Sequence, residues 1–148
     1  MHIEELAQQL DDAVVALRSA TLPRGGLSLT AAATLARLQR SGGARLTELA
    51  AAEGVTQPSM TSLIARLADQ GLVHRAADPN DGRAVVLTLT AAGEEVLAQR
   101  RAERTHRIAG PLADLSPDDV ARIADAVPAL TRLAGALRRS RTPVEVSR

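Results

Sequence analysis

Midway along this chain the apolar residues change their spacing, and that change restricts the fold more than any other feature of the sequence. Up to Gly71 they recur every three or four positions, the period of an amphipathic helix. Two runs then read as short strands, Leu72-Val73-His74-Arg75 and Ala84-Val85-Val86-Leu87-Thr88-Leu89. Between them lie Asp78-Pro79-Asn80-Asp81-Gly82, residues that favour turns. The helical period then returns. A hairpin set between helices predicts an α+β chain that is mostly α.

The helical stretches can be bounded from their caps. Ile3, Leu6, Leu10, Val14 and Leu17 mark a first helix, ending at the loop Thr21-Leu22-Pro23-Arg24-Gly25-Gly26. A second runs from about Thr30, its expected cap, to Arg40, and Ser41-Gly42-Gly43 stops it. Thr47 to Glu53 and Gln57 to Gln70 form a close pair separated by Gly54-Val55-Thr56, with Gly71 closing the second. Thr90 caps a helix running towards Ile108, which Gly110 and Pro111 interrupt or end. The last helix opens at Ser116-Pro117-Asp118-Asp119 and carries the stripe Val120, Ile123, Val127, Leu130, Leu133 and Leu137, with a kink expected at Pro128.

Composition excludes several classes. With no Phe, Trp or Tyr, the core must consist of Leu, Val, Ile, Ala and Met, and so thin a core gains from dimerisation. The apolar stripes of the first and last helices exceed what a module of this size buries alone, which favours a symmetric dimer over packing on their own chain. The absence of cysteine excludes disulfides, Cys-ligated zinc and thiol redox sensing. His2, His74 and His106 are scattered, so neither a metal site nor a cofactor is expected. No phosphate-binding glycine loop, nucleophile motif or partnered histidine points to an enzyme. The N-terminal residues include Glu4 and Glu5 and lack a signal-peptide layout, and no apolar run approaches the roughly 18–20 residues of a membrane span. A cytoplasmic protein with no membrane contact is expected.

The close helix pair has the features of a helix-turn-helix. Ala50 and Gly54 supply the small residues that a steep crossing needs, and Leu49, Val55, Met60 and Leu63 supply its apolar contacts. On the second helix Met60, Leu63, Ile64 and Leu67 fall on one side. Pro58, Ser62, Ala65 and Asp69 lie opposite, flanked by Ser59, Thr61 and Arg66. That face is small near its N-terminus, as seating in a major groove requires, and its hydroxyls suit phosphates or base edges. The first-turn N–H groups are expected to favour a phosphate as well. The plainer alternative is an amphipathic helix whose polar face meets only water. The hairpin behind it argues for a wing, with Arg83 near its tip reaching the minor groove and Asp81 holding that arginine or bracing the turn.

Two stretches resemble MarR-family regulators. Val55-Thr56-Gln57-Pro58-Ser59-Met60-Thr61-Ser62-Leu63-Ile64-Ala65-Arg66-Leu67 followed by Gly71-Leu72-Val73 is similar to that family's recognition helix and first wing strand. Asp78-Pro79-Asn80-Asp81-Gly82-Arg83 followed by Leu87-Thr88-Leu89-Thr90-Ala91-Ala92-Gly93 is similar to its wing and the start of the next helix. The resemblance implies a winged helix-turn-helix over 28–93, N- and C-terminal dimerisation helices over 1–22 and 94–140, and a flexible tail over 141–148. It further implies a transcription regulator, a repressor released by a small ligand, that binds double-stranded pseudo-palindromic DNA as a homodimer. Gln57, Pro58, Ser59, Thr61, Ser62, Arg66 and Arg83 are the expected DNA-binding residues, with Asp81 supporting the wing. Such proteins commonly hold phenolic or other aromatic effectors between the winged module and the dimerisation helices. Here the contacts would be aliphatic, with some Arg or His.

Two features run against the pattern. Many members carry Arg where this chain has Ser62, a direct DNA contact. From Arg45 to Thr90, four arginines (45, 66, 75, 83) face five acids (48, 53, 69, 78, 81), a net −1, while the whole chain is +1. Moderate affinity and a shallow salt slope are expected. The near-neutral helix pair also motivates an alternative reading, a winged-helix protein-interaction module without DNA binding. On the fifth helix Arg100, Arg104 and Arg107, with Arg101 beside them, read as a solvated face balanced by Glu94, Glu95 and Glu103 rather than as a strip for DNA or an anionic ligand.

Overall fold

The computed structural model describes residues 2–23 and 25–140. The expected tail, 141–148, lies outside the described residues. In order come α1 (Ile3–Thr21), α2 (Leu29–Ser41), β1 (Ala44–Arg45), α3 (Leu46–Glu53), α4 (Gln57–Asp69), β2 (Val73–Asp78), β3 (Asp81–Leu89), α5 (Ala91–Ala113) and α6 (Pro117–Ser140). The chain divides into two compact units, residues 1–105 and 106–148.

The first unit holds the apolar core. Leu35 and Leu38 of α2, Leu49 of α3, Met60, Ile64 and Leu67 of α4, and Leu87 of β3 are almost wholly buried. The α4 residues are the side of the helix that its spacing predicts. Thr34 joins them because its hydroxyl donates to the Thr30 carbonyl at 2.8 Å, which satisfies the polar group inside the core. Val96 and Leu97 of α5 pack against the same cluster.

The helix boundaries follow from local chemistry. The cap of α2 lies two residues before the expected one: Ser28, not Thr30, accepts the Ala31 N–H at 3.1 Å. α4 ends in a double closure, with the Gly71 N–H donating to the Ala68 carbonyl and the Leu72 N–H to the Leu67 carbonyl. This requires the left-handed backbone of Gly71, φ +73°. Thr90 caps α5 as expected, its Oγ1 accepting the Gly93 N–H at 3.1 Å. The same hydroxyl donates to the Gly71 carbonyl, which ties the end of α4 to the start of α5. A Cβ on Gly93 would collide with the Leu72 carbonyl and the Leu89 side chain, so glycine is needed there for space.

Three differences from the sequence reading stand out. β1 is too short for alternation to reveal it, yet it pairs antiparallel with β3 through Ala44↔Leu87 and Arg45↔Val86, giving a sheet of order β1-β3-β2. The hairpin strands reach further into the expected turn, to Asp78 and from Asp81. α5 continues through Gly110 and Pro111 to Ala113. A proline so near the helix end removes one donor without stopping the helix.

In the second unit, the start of α6 is as expected. Ser116 Oγ accepts the Asp119 N–H at 3.1 Å and donates to the Asp119 carboxylate at 2.8 Å. The helix runs on through Pro128.

Candidate nucleic-acid interface

α4 presents one buried and one exposed side. Gln57, Pro58, Ser59, Thr61, Ser62 and Arg66 are all exposed, opposite the buried Met60, Leu63, Ile64 and Leu67. The local hydrogen bonds determine what this face can offer. Thr56 Oγ1 accepts the Ser59 N–H at 3.3 Å and donates to Ser59 Oγ at 2.9 Å, which leaves the Ser59 hydroxyl proton available as a donor. Thr61 instead donates to the Gln57 carbonyl at 2.9 Å, so in this rotamer it offers only lone pairs outward. Ser59 therefore suits a phosphate oxygen, and Thr61 suits a base-edge amino group.

The first turn has less to offer an anion than its position implies. Pro58 has no N–H, that of Ser59 is taken by Thr56 Oγ1, and that of Met60 by the Thr56 carbonyl. At most the Gln57 N–H remains.

The wing places Arg83 on an irregularity of β3. From Val73↔Leu89 to Ala77↔Val85 the register is regular, then Asp78 pairs with Asp81, leaving residues 82–84 unopposed. Such a bulge turns a side chain away from the regular alternation of the ladder. Arg83 is exposed, and its backbone N–H donates to Asp81 Oδ1 at 3.1 Å. Asp81 thus acts on the backbone of the bulge.

The dominant contact of the wing involves two residues that the sequence reading counted only as charges. Asp78 at the end of β2 is 8% exposed. Its Oδ2 accepts from Arg45 Nη2 at 2.6 Å and Nε at 3.2 Å, and its Oδ1 accepts the Asn80 N–H at 2.9 Å. The Asn80 N–H, then the Arg45 guanidinium, hold the Asp78 carboxyl below its ordinary range, and the same pairing raises Arg45. Arg45 also precedes α3, where Glu48 reaches back to accept its backbone N–H at 2.7 Å. One carboxylate therefore connects the hairpin to the helix pair.

These bonds change the meaning of the net charge. Glu48 and Asp78 engage Arg45, Glu53 pairs with Arg37 at 3.3 Å, and Asp81 holds the Arg83 N–H. Four of the five acids thus have partners within the module, while Arg66, Arg75 and Arg83 are exposed. The count from 45 omits Arg37, the partner of Glu53, and adding it sets five arginines against the five acids.

A cleft of about 230 Å³ lies between the segment entering α2 and the C-terminal half of α4. Leu27, Ala31, Leu63 and Leu67 contribute aliphatic lining, and Ser28, Arg66 and Gln70 are its polar members. From α5, Arg100 Nη1 donates to the Leu27 carbonyl at 3.3 Å.

A helix pair with an exposed polar recognition face, followed at once by a bulged hairpin, defines a winged helix-turn-helix protein. Residues 27–85 match the sequence profile of the MarR family. The HTH-type transcriptional regulator Mb0904 of Mycobacterium bovis is 38% identical over 94 residues, 64% of this chain and 66% of that protein, so the match falls just short of two thirds of that relative. ML2140 of Mycobacterium leprae, also named an HTH-type transcriptional regulator, is 36% identical over 65% of this chain and 67% of its own. The HTH-type transcriptional repressor Mb2911 of Mycobacterium bovis is 37% identical over 62% of this chain and 64% of its own. Among solved structures, the transcriptional regulator Tm0710 of Thermotoga maritima matches with TM-score 0.75 and 26% identity, over 95% of this chain and 99% of that one. The PcaV transcriptional regulator of Streptomyces coelicolor, solved in complex with its natural ligand, matches with TM-score 0.52 and 25% identity, over 90% and 94%. The chain belongs to the MarR family, and these relatives are named as regulators rather than enzymes.

Proposed function

We propose that this chain is a cytoplasmic transcription regulator that binds pseudo-palindromic double-stranded DNA as a homodimer and acts as a repressor released by a small effector. The observation that carries the reading is the exposed Arg83 on its bulge, in a wing that follows the exposed polar face of α4 directly. Gln57, Pro58, Ser59, Thr61, Ser62 and Arg66 meet the major groove, and Arg83 enters the adjacent minor groove. Because Ser62 stands where a bidentate arginine is common, sequence preference depends more on Arg83 and on DNA shape. No described helix is long and apolar enough to cross a membrane.

The dimer reading rests on two helices taken separately. α1 buries none of its residues, and Ile3, Val14, Val15 and Leu17 are each more than half exposed. α6 likewise buries none, leaving Ile123, Val127, Leu130, Leu133 and Leu137 exposed. Apolar stripes at helical spacing call for a partner surface, and a second copy supplies one. The regions 1–22 and 94–140 are assigned to dimerisation and 28–93 to DNA binding.

The name of Mb2911 supports repression, and the ligand complex of PcaV supports an effector. The cleft beside α4 offers a small aromatic effector an aliphatic lining, with Ser28, Arg66 and Gln70 as its polar members.

Arg83→Ala tests the interface. It is expected to weaken operator binding by roughly 1–3 kcal/mol and to make the salt slope shallower by about one. Unchanged affinity in fluorescence anisotropy would remove the wing from the mechanism.

A further inference from the structure

We infer that Asp78 and Arg45 form the positioning pair that aims Arg83 at DNA, an assignment that rests on the DNA-binding reading above. The bonds form one connected path. Arg45 sits on β1 at the start of α3, and its guanidinium grips the Asp78 carboxylate with two nitrogens. The other oxygen of that carboxylate holds the Asn80 N–H inside the two-residue turn. Asp81, the next residue, holds the Arg83 N–H within the bulge. The buried Asp78 side chain thus links the wing tip to the helix-turn-helix, beyond the hold that the β1–β3 pairing gives the base of the hairpin. Arg45 itself is fixed from both sides, by pairing with Val86 and by Glu48 on its backbone N–H. A hairpin joined to the helix pair only by its own ladder would have its weakest hold at the bulge, where Arg83 lies.

Positioning and simple electrostatics predict opposite signs for one substitution. Asp78→Asn removes a negative charge from a module that faces phosphates, which by charge alone strengthens binding. It also removes the charged acceptor that holds Arg45, which loosens the wing and so weakens binding.

The experiment is a double-mutant cycle of D78N with R83A on operator DNA, with amide hydrogen exchange of the same free proteins. D78N is expected to lose about tenfold in specific affinity, and little more once Arg83 is already alanine. Its wing amides 80–86 exchange faster while those of α2 and α4 keep their protection. Binding by D78N equal to or tighter than wild type, or the same loss in the R83A background, overturns the assignment. If the wild-type protein binds no DNA, the DNA-binding reading fails first. Exchange then decides the remaining claim, and unchanged protection at residues 81–85 in D78N refutes it.

Discussion

Single residues determine the wing, and two of them give sharp expectations. Gly93 opens α5 where the Leu72 carbonyl and the Leu89 side chain leave no room for a Cβ. Gly93→Ala should therefore cost about 1–3 kcal/mol, as overpacking does, read as a lower urea midpoint with unchanged slope. Asp78 gives the pH expectation. Its pKa is depressed in the fold, first by the Asn80 N–H and then by Arg45, so its contribution is present above the ordinary aspartate value of about 3.9. That contribution is lost as pH falls through the depressed value. The stability gap between wild type and Asp78→Asn should be constant from neutral pH down to about pH 5 and should close below about pH 4. A gap that persists undiminished at pH 2 would contradict the assignment of the bridge.

At the scale of elements, legibility followed sequence distance. The buried and exposed sides of α4 could be read because its side chains repeat within one helix, and Thr56, Gly71, Thr90 and Ser116 announce their ends within three or four residues. Arg45 and Asp78 are 33 residues apart, and nothing local marks either as the other's partner. β1 escaped notice because two residues carry no period, and its pairing is decided by β3. The cap of α2 was misplaced because Ser28 and Thr30 are equally good candidates in isolation, and only the start of the helix at Leu29 selects the serine. The charge sum misled for a related reason: it begins at Arg45 and so counts Glu53 without Arg37, the arginine that it meets. The N-cap of α4 offers a direct check. Thr56→Ala removes the acceptor of the Ser59 N–H and is expected to cost about 1 kcal/mol in urea denaturation. A change below a few tenths would show that the cap bond is not formed in solution.

For the whole molecule, the chain leaves its outer helices unsatisfied. The first unit closes a core from α2, α3, α4 and the sheet, without aromatic side chains and without burying any residue of α1. α6 exposes Leu130 at 43% and Leu133 at 42%, large side chains one turn apart. A charge placed there should oppose association while sparing the winged core. Leu130→Glu is expected to shift the protein from dimer to monomer in sedimentation equilibrium, with the ellipticity of the winged helices retained. DNA affinity should fall steeply, because one winged module retains only half of the contacts to a two-fold site. A variant that stays dimeric would place the interface elsewhere.

The most direct test of DNA binding by a dimer is fluorescence anisotropy of the purified protein with its own upstream intergenic DNA, against a scrambled duplex, at two salt concentrations. The predicted result is preferential binding of one dimer to a pseudo-palindrome, weakening as salt rises. Equal binding to both duplexes at both salts, or none, would contradict it and favour a winged helix that docks protein instead.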